Sequence, residues 1–253
     1  MKATVECSTL KLEAVMKLLS IDSNSKLAKT NKVVGANHLY AGLSLMPDDK
    51  LCPGAKAAGC MDKCLKSAGR GRFSNVSKAR TTKSAMFHNN PMQFKYWLVK
   101  DLEALVRRVT REGKIARVRL NVLSDVTWEK YKVIRDGIEF DGIPQAFPEI
   151  QFYDYTKRAD RVGKTPANYK LTFSYSGIGT YKNQVRLAED REANMAVVFL
   201  VKKSQSLPQF FRGKPVIDGD EHDARWDDAQ GVIVGLRAKG QAIGDDSGFA
   251  VAA

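Results

Sequence analysis

Three cysteines fall within one thirteen-residue run, Cys52-Pro-Gly-Ala-Lys-Ala-Ala-Gly-Cys60-Met-Asp-Lys-Cys64. Thiolates are soft ligands, favoured by zinc and by iron–sulfur clusters. Lys56, Lys63 and Lys66 are expected to lower the pKa of these thiols and help them ionise. A helix starting at Met61 would set Cys60 and Cys64 four apart on one face, while Pro53-Gly54 lets Cys52 fold back toward them. A structural zinc site usually completes four ligands, whereas a [4Fe–4S] cluster on three leaves one iron open to a cofactor or substrate. No histidine lies in the loop to act as a fourth donor. Cys52, Cys60 and Cys64 therefore read as ligands of an iron–sulfur cluster or of zinc, with three structural cysteines as the plain alternative. Cys7 stands apart and reads as a small buried apolar residue.

Polar and ionisable residues follow each apolar run further along the chain. The ends read Asn121-Val-Leu-Ser124-Asp125, Tyr153-Asp-Tyr-Thr-Lys157-Arg158, Ser174-Tyr-Ser176-Gly177, Lys202-Lys203 and Asp218-Gly-Asp220. In β/α barrels the reactive groups sit at the carboxyl edge of the strands, so Ser124, Asp125, Lys157, Ser174 and Ser176 are candidate cofactor ligands. Asp125, Lys157, Asp218 and Asp220 are candidate catalytic groups. Ser124 and Asp125 could instead cap a helix at Trp128-Glu129. Asp218, Asp220 and Asp223, with Arg225 nearby, could bind a hard divalent cation and serve a phosphoesterase, or form an exposed acidic turn that opens a helix. Arg70, Arg72, Lys78 and Arg80 lie in a glycine- and serine-rich stretch that could hold phosphate groups of a nucleic acid. The alternative there is a solvated basic loop.

Strands and helices must position these groups. Apolar runs at His38–Leu45, Ala116–Leu123, Ile150–Tyr155, Tyr169–Tyr175, Met195–Val201, Lys214–Asp218 and Val232–Leu236 read as strands. Between the first two, Asn90-Pro91 opens a helix with proline at its first position. Phe94, Trp97, Leu98, Leu102, Leu105, Val106 and Val109 form its core stripe, and Gly113 stops it. Strand–helix alternation with strands buried on both faces implies α/β architecture and a mainly parallel sheet. Seven strands suit a partial or complete β/α (TIM-like) barrel. The expected division is an extension over 1–34 packed on the barrel, a barrel-like domain over 35–240, and a tail over 241–253 that is frayed or laid on the surface.

The 253 residues carry a net charge of +13. From Lys56 to Arg119 there are sixteen Lys and Arg against four acids, while from Lys214 onward four basic residues face eight acidic ones. A basic segment over 56–119 implies contact with nucleic acid or another polyanion. No run of eighteen apolar residues is present. The start lacks a basic-then-apolar signal pattern, so a cytoplasmic location is expected, in the host if the gene is viral.

The order of these pieces resembles the radical S-adenosylmethionine (SAM) superfamily, whose cluster loop follows the first strand of a β/α barrel. It is similar to radical-SAM-like proteins of phages and mobile elements at Asn121–Asp125, at Tyr155-Thr-Lys-Arg158 with Arg161, and at Gly231-Val-Ile-Val-Gly235. More closely, the chain resembles the phage family called gene product eighty-eight. The shared features are the Cys-Pro…Gly-Cys…Cys-Leu loop, Gly69-Arg-Gly71, Leu120–Asp125, and Val216–Asp220 leading to Ala238-Lys-Gly240. The resemblance implies a [4Fe–4S] cluster on Cys52, Cys60 and Cys64, SAM in the neighbouring pocket, and an enzyme acting on nucleic acid or a nucleotide. The gaps between the cysteines here are seven and three residues, against three and two in the common radical-SAM loop, and no Gly-Gly-Glu-Pro motif follows the second strand. A non-catalytic, zinc- or cluster-stabilised nucleic-acid-binding protein is the alternative.

Overall fold

The structure is a computed structural model that describes residues 16–21, 30, 35 and 37–253, without the side chains of Ser67 and Arg70. Cys7 and most of the 1–34 segment lie outside the described residues.

Strand β2 (His38–Leu43) is followed, after the cysteine loop, by helices α1 (Ser74–Asn89) and α2 (Pro91–Glu112) and then by strand β3 (Ile115–Arg119). A two-stranded hairpin, β4 (Val133–Arg135) and β5 (Ile138–Phe140), and the short helix α3 (Ile143–Ala146) precede β6 (Gln151–Thr156) and β7 (Tyr169–Ser174). Helix α4 (Lys182–Asp190) leads to β8 (Met195–Phe199), then β9 (Phe210–Phe211), β10 (Lys214–Asp218) and β11 (Ile233–Arg237). Before all of these lies the short strand β1 (Leu19–Ile21).

Nine strands form one sheet in the order β1-β2-β3-β6-β7-β8-β11-β10-β9. The seven from β2 to β10 in that order are parallel, and the two edge strands pair antiparallel. All seven expected strands are present, within a few residues of their expected ends. Two features differ from a simple barrel order. Strand β11 inserts between β8 and β10, and the edges β1 and β9 are not paired with each other. The pairing thus gives a mixed α/β fold built on a large, mostly parallel sheet.

Alternation sends successive side chains to opposite faces. Leu39, Ala41 and Leu43 of β2 and Ala116 and Val118 of β3 pack against Phe94, Leu98, Leu102 and Leu105 of α2. Phe173, Met195, Val197 and Ile233 pack with Val185 and Ala188 of α4. The helix expected after Asn90 forms as read, with Pro91 in its first turn and Gly113 capping it in the left-handed region at φ 62°. Among the described residues no helix is long and apolar enough to cross a membrane.

Two stretches with alternative readings take definite form. The basic stretch, for which a solvated loop is the alternative, is helical from Ser74; Ser84 is the one buried residue of α1, and the helix packs on α2. Of the two readings of the terminal stretch, frayed or laid on the surface, the structure shows it laid on the fold. Leu200 donates to the Val251 carbonyl at 2.8 Å and Gly177 to the Gly248 carbonyl at 2.9 Å, and Phe249 and Ala250 are buried. Asp245 organises that turn, accepting from Ser247 Oγ at 2.7 Å and from the Ala250 amide at 2.9 Å.

Candidate functional site

The cysteine loop begins where β2 ends, and Asp48 starts its fold. Its Oδ1 accepts the amides of Lys50 and Leu51, both at 2.9 Å, while Oδ2 lies 2.7 Å from His88 Nε2 on α1. Ala55 to Ala58 then make one tight turn, closed when the Cys60 amide donates to the Ala55 carbonyl at 2.8 Å. Gly59 permits that closure with φ +63°; a Cβ there would sit 2.3 Å from Ile178 Cδ1. At Gly54 a Cβ would come within 2.8 Å of Lys157 Cβ, so the loop lies directly on the end of β6. No α-helix starts at Met61. Cys64 is extended, at φ −61° and ψ 139°, ahead of a short 3₁₀ turn. Cys60 and Cys64 are therefore brought together by turns and not by a helix face.

Cys52, Cys60 and Cys64 are free thiols, partly buried, and all three line one cavity of about 850 Å³. The same cavity is lined by Ser124, Asp125, Lys157 and Ser174 at the carboxyl ends of β3, β6 and β7. Ser176 is fully covered outside it, its hydroxyl accepting the Ile178 amide at 3.4 Å. The expected effect of the lysines on the thiols is outweighed by burial. Burial pushes Cys52 up to about 12, with Cys60, Asp125 and Cys64 adding to the rise. Burial also raises Cys64, against the opposing pull of the Lys66 amide and the charges of Lys66 and Arg80. Lys56 is drawn to Asp49 and Lys63 to Asp245, 3.1 Å away. Among the described residues no group of three or more His, Cys, Asp or Glu side chains is arranged to hold a metal ion.

Below the cavity the chain builds a polar network that composition alone does not reveal. Asn121 Oδ1 accepts Ser124 Oγ, the Val126 amide and Trp128 Nε1, each at 2.9 Å. These bonds fold Asn121–Trp128 into a turn and leave Ser124 and Asp125 facing the cavity rather than capping a helix. Asp125 Oδ2 accepts the Lys157 amide at 2.8 Å, and its Oδ1 meets Arg161 Nη1. Arg161 also forks onto Glu129 at 2.9 and 2.8 Å. Burial raises the Asp125 carboxyl, while Arg161 and the Lys157 amide pull it down. Both oxygens of Asp125 are thus committed to holding the loop against β6. Lys157 is buried, with Nζ donating to the Ser174 and Tyr175 carbonyls at 3.0 and 3.1 Å. Burial lowers its pKa to about 8, with Cys60 and Asp125 acting the other way. Phe249 lies under that ammonium, 5.0 Å from ring centre to Nζ.

The acidic segment divides. Asp218 and Asp220 turn to Arg237, and Asp220 also binds Lys239 Nζ at 2.6 Å. Asp223 turns instead to Arg119 at 3.0 Å and to the Tyr155 hydroxyl at 3.3 Å. Arg225 pairs with Asp228 at 3.1 Å. Asp220 reaches the cavity, but each of these carboxylates already faces a cation. The basic candidates divide too: Arg72 and Lys78 are exposed, Arg80 lines the cavity, and the exposed Lys202 and Lys203 do not. Sequence reasoning passed over Lys83, Arg119 and Phe249, which line the same space. The two cations were hidden in a general count of basic residues, and Phe249 in a segment read as tail.

Comparison with protein families matches residues 16–253 to the family described as gene product 88. The chain belongs to the gene product 88 family. The matched span takes in the cysteine loop, the cavity and the terminal clasp of this gene product 88 protein, in accord with the resemblance carried by its loop and by Leu120–Asp125. No curated protein and no solved structure matches the chain.

Proposed function

We propose that this gene product 88 protein is a phage iron–sulfur enzyme of the radical-SAM-like kind that acts on nucleic acid or a nucleotide. Cys52, Cys60 and Cys64 would hold a [4Fe–4S] cluster. One observation carries the reading: three thiols, each from a different part of a turn-built loop, line the same cavity as the polar ends of β3, β6 and β7. Residues of β1, β2, β8 and β11, among them Ser20, Gly42, Val198 and Leu236, line that cavity too. Such convergence of strands on one space favours a sheet curved into a partial barrel.

The donor chemistry fits a cluster better than one ion. A single structural zinc usually takes four protein donors, and the loop supplies three thiols. A polynuclear cluster takes its thiolates at separate corners, and an iron without a protein ligand supplies one-electron chemistry. Cys52, partly buried and disposed to stay protonated, then needs a positive centre to hold its thiolate. The remaining work falls to this chain's own groups. Lys157 sets a cation beside Cys60, Asp125 fixes the Lys157 backbone, and Phe249 with Ala242 shields the loop from water. SAM, or a substrate in its place, would meet Ser124, Asp125, Lys157 and Ser174. The second reading, a binding protein without catalysis, draws on the exposed Arg72 and Lys78.

Anaerobic purification and reconstitution test this. A brown protein with about four irons and four sulfides per chain is expected, with the iron lost in Cys60→Ala. A colourless protein with one zinc, or one that retains no metal, would overturn the proposal.

A further inference from the structure

Helix α1 turns one face to the cavity, where Arg80 and Lys83 stand three residues apart. Arg80 Nη1 donates to the Lys66 carbonyl at 3.3 Å, and Lys83 Nζ to the Leu18 carbonyl at 2.6 Å. Among the described residues neither forms an ion pair with a carboxylate. Four other cations around the cavity do, Lys63 with Asp245, Arg119 with Asp223, Arg237 with Asp218 and Lys239 with Asp220, while Lys157 is held by the Ser174 and Tyr175 carbonyls beside the cysteine loop. A carbonyl orients a cation without neutralising it, and two adjacent like charges repel; Asp101, already accepting the Leu18 and Leu19 amides, acts on Lys83 from outside ion-pair distance. Gly71 keeps this arrangement open, since a Cβ there would lie 2.4 Å from the Lys66 carbonyl oxygen and 3.1 Å from Arg80 Nη1. Apolar groups make another part of the wall, Val122 after β3, Val198 of β8 and Leu236 of β11.

We infer that Arg80 and Lys83 form the phosphate subsite of a small nucleotide-class ligand held inside this cavity, with its base on Val122, Val198 and Leu236. A guanidinium fork matches two phosphate oxygens, and the lysine adds a point charge for a dianion. A cavity of about 850 Å³ falls within the usual range of small-molecule sites, roughly 300–1,000 Å³. The bound species is thus a nucleotide-sized molecule rather than a polymer lying across the surface. This deepens the proposed function and rests on its choice of cavity, yet it needs no iron.

The two can fail separately when binding is measured by calorimetry on the full chain, purified aerobically with chelator. ADP is the probe, and inorganic pyrophosphate, adenosine and SAM are comparators. The inference expects one ADP per chain, pyrophosphate competing with it, and adenosine at least tenfold weaker. Arg80→Gln/Lys83→Gln should weaken ADP at least tenfold, while the charge-keeping Arg80→Lys/Lys83→Arg retains most of the binding. Arg107→Gln, on the exposed side of α2, should change nothing. Absence of ADP binding, or equal affinity in the glutamine double variant, overturns the inference. SAM binding without ADP binding overturns it while leaving the iron–sulfur reading in place.

Discussion

Asp154 is completely buried under the cavity, with the Asn121 amide on one oxygen at 2.8 Å and the Tyr169 hydroxyl on the other at 2.9 Å. Burial raises its pKa to about 7, although Arg119, the Asn121 amide and Tyr169 oppose the rise. An unfolded aspartate titrates near 3.9. The folded chain therefore holds this proton more tightly, so its stabilising contribution is full below about pH 4 and is lost as pH rises through about 7. Asp154→Asn lacks that titration. Its unfolding free energy should improve relative to the parent between pH 5 and pH 8 in urea melts, and parallel behaviour of the two proteins would contradict this. Arg161 is the opposite case, one cation spanning Asp125 and Glu129. Arg161→Met leaves two buried carboxylates unpaired and should cost about 3–5 kcal/mol, read from denaturant midpoints. The asparagine and arginine were visible in the sequence only as part of quoted motifs. Asn121 gathers local partners through a turn that leaves no apolar pattern, and Arg161 clamps Glu129 across 32 residues, a contact that spacing does not encode.

The cysteine loop and the terminal clasp act as one unit. Cys60 packs against Ala242, Phe249 and Ala250, and Lys63 reaches Asp245. Phe249→Ala removes a buried ring and should cost about 3–5 kcal/mol by thermal or urea unfolding. It should also speed alkylation of Cys60 in the metal-free protein, and unchanged reactivity would separate the clasp from the loop. Gly59→Ala combines a left-handed backbone with a clash on Ile178. A loss of about 1–3 kcal/mol is expected, with lower iron retention than the parent. Elements with strong apolar signals were legible. The parallel strands announced themselves as short apolar runs, and α2 by its stripe and its glycine stop. Helix α1 carries almost no apolar face, so its sequence looked like a basic loop. The β4–β5 hairpin turns on Asp136-Gly137, both at positive φ, a signal present in the sequence but passed over. The two-residue β9 and three-residue β1 are too short to leave a pattern, and tertiary pairing creates them.

At the scale of the whole molecule, a seven-strand parallel array brings distant polar ends to one cavity and lays three thiols across it. The insertion of β11 beside β8 also matters, because it carries Leu236 and Arg237 into that cavity from the far end of the chain. Strand order of this kind was beyond the sequence, since apolar runs state that a strand exists and not which neighbour it takes. The central claim is that three cysteines hold a cluster with one iron left open to the cavity. Mössbauer spectroscopy of protein reconstituted anaerobically with isotopically enriched iron tests it most directly. The account predicts irons in a three-to-one ratio, with the unique site shifting when SAM is added. Spectra showing equivalent irons unmoved by SAM, or no bound iron at all, would contradict it.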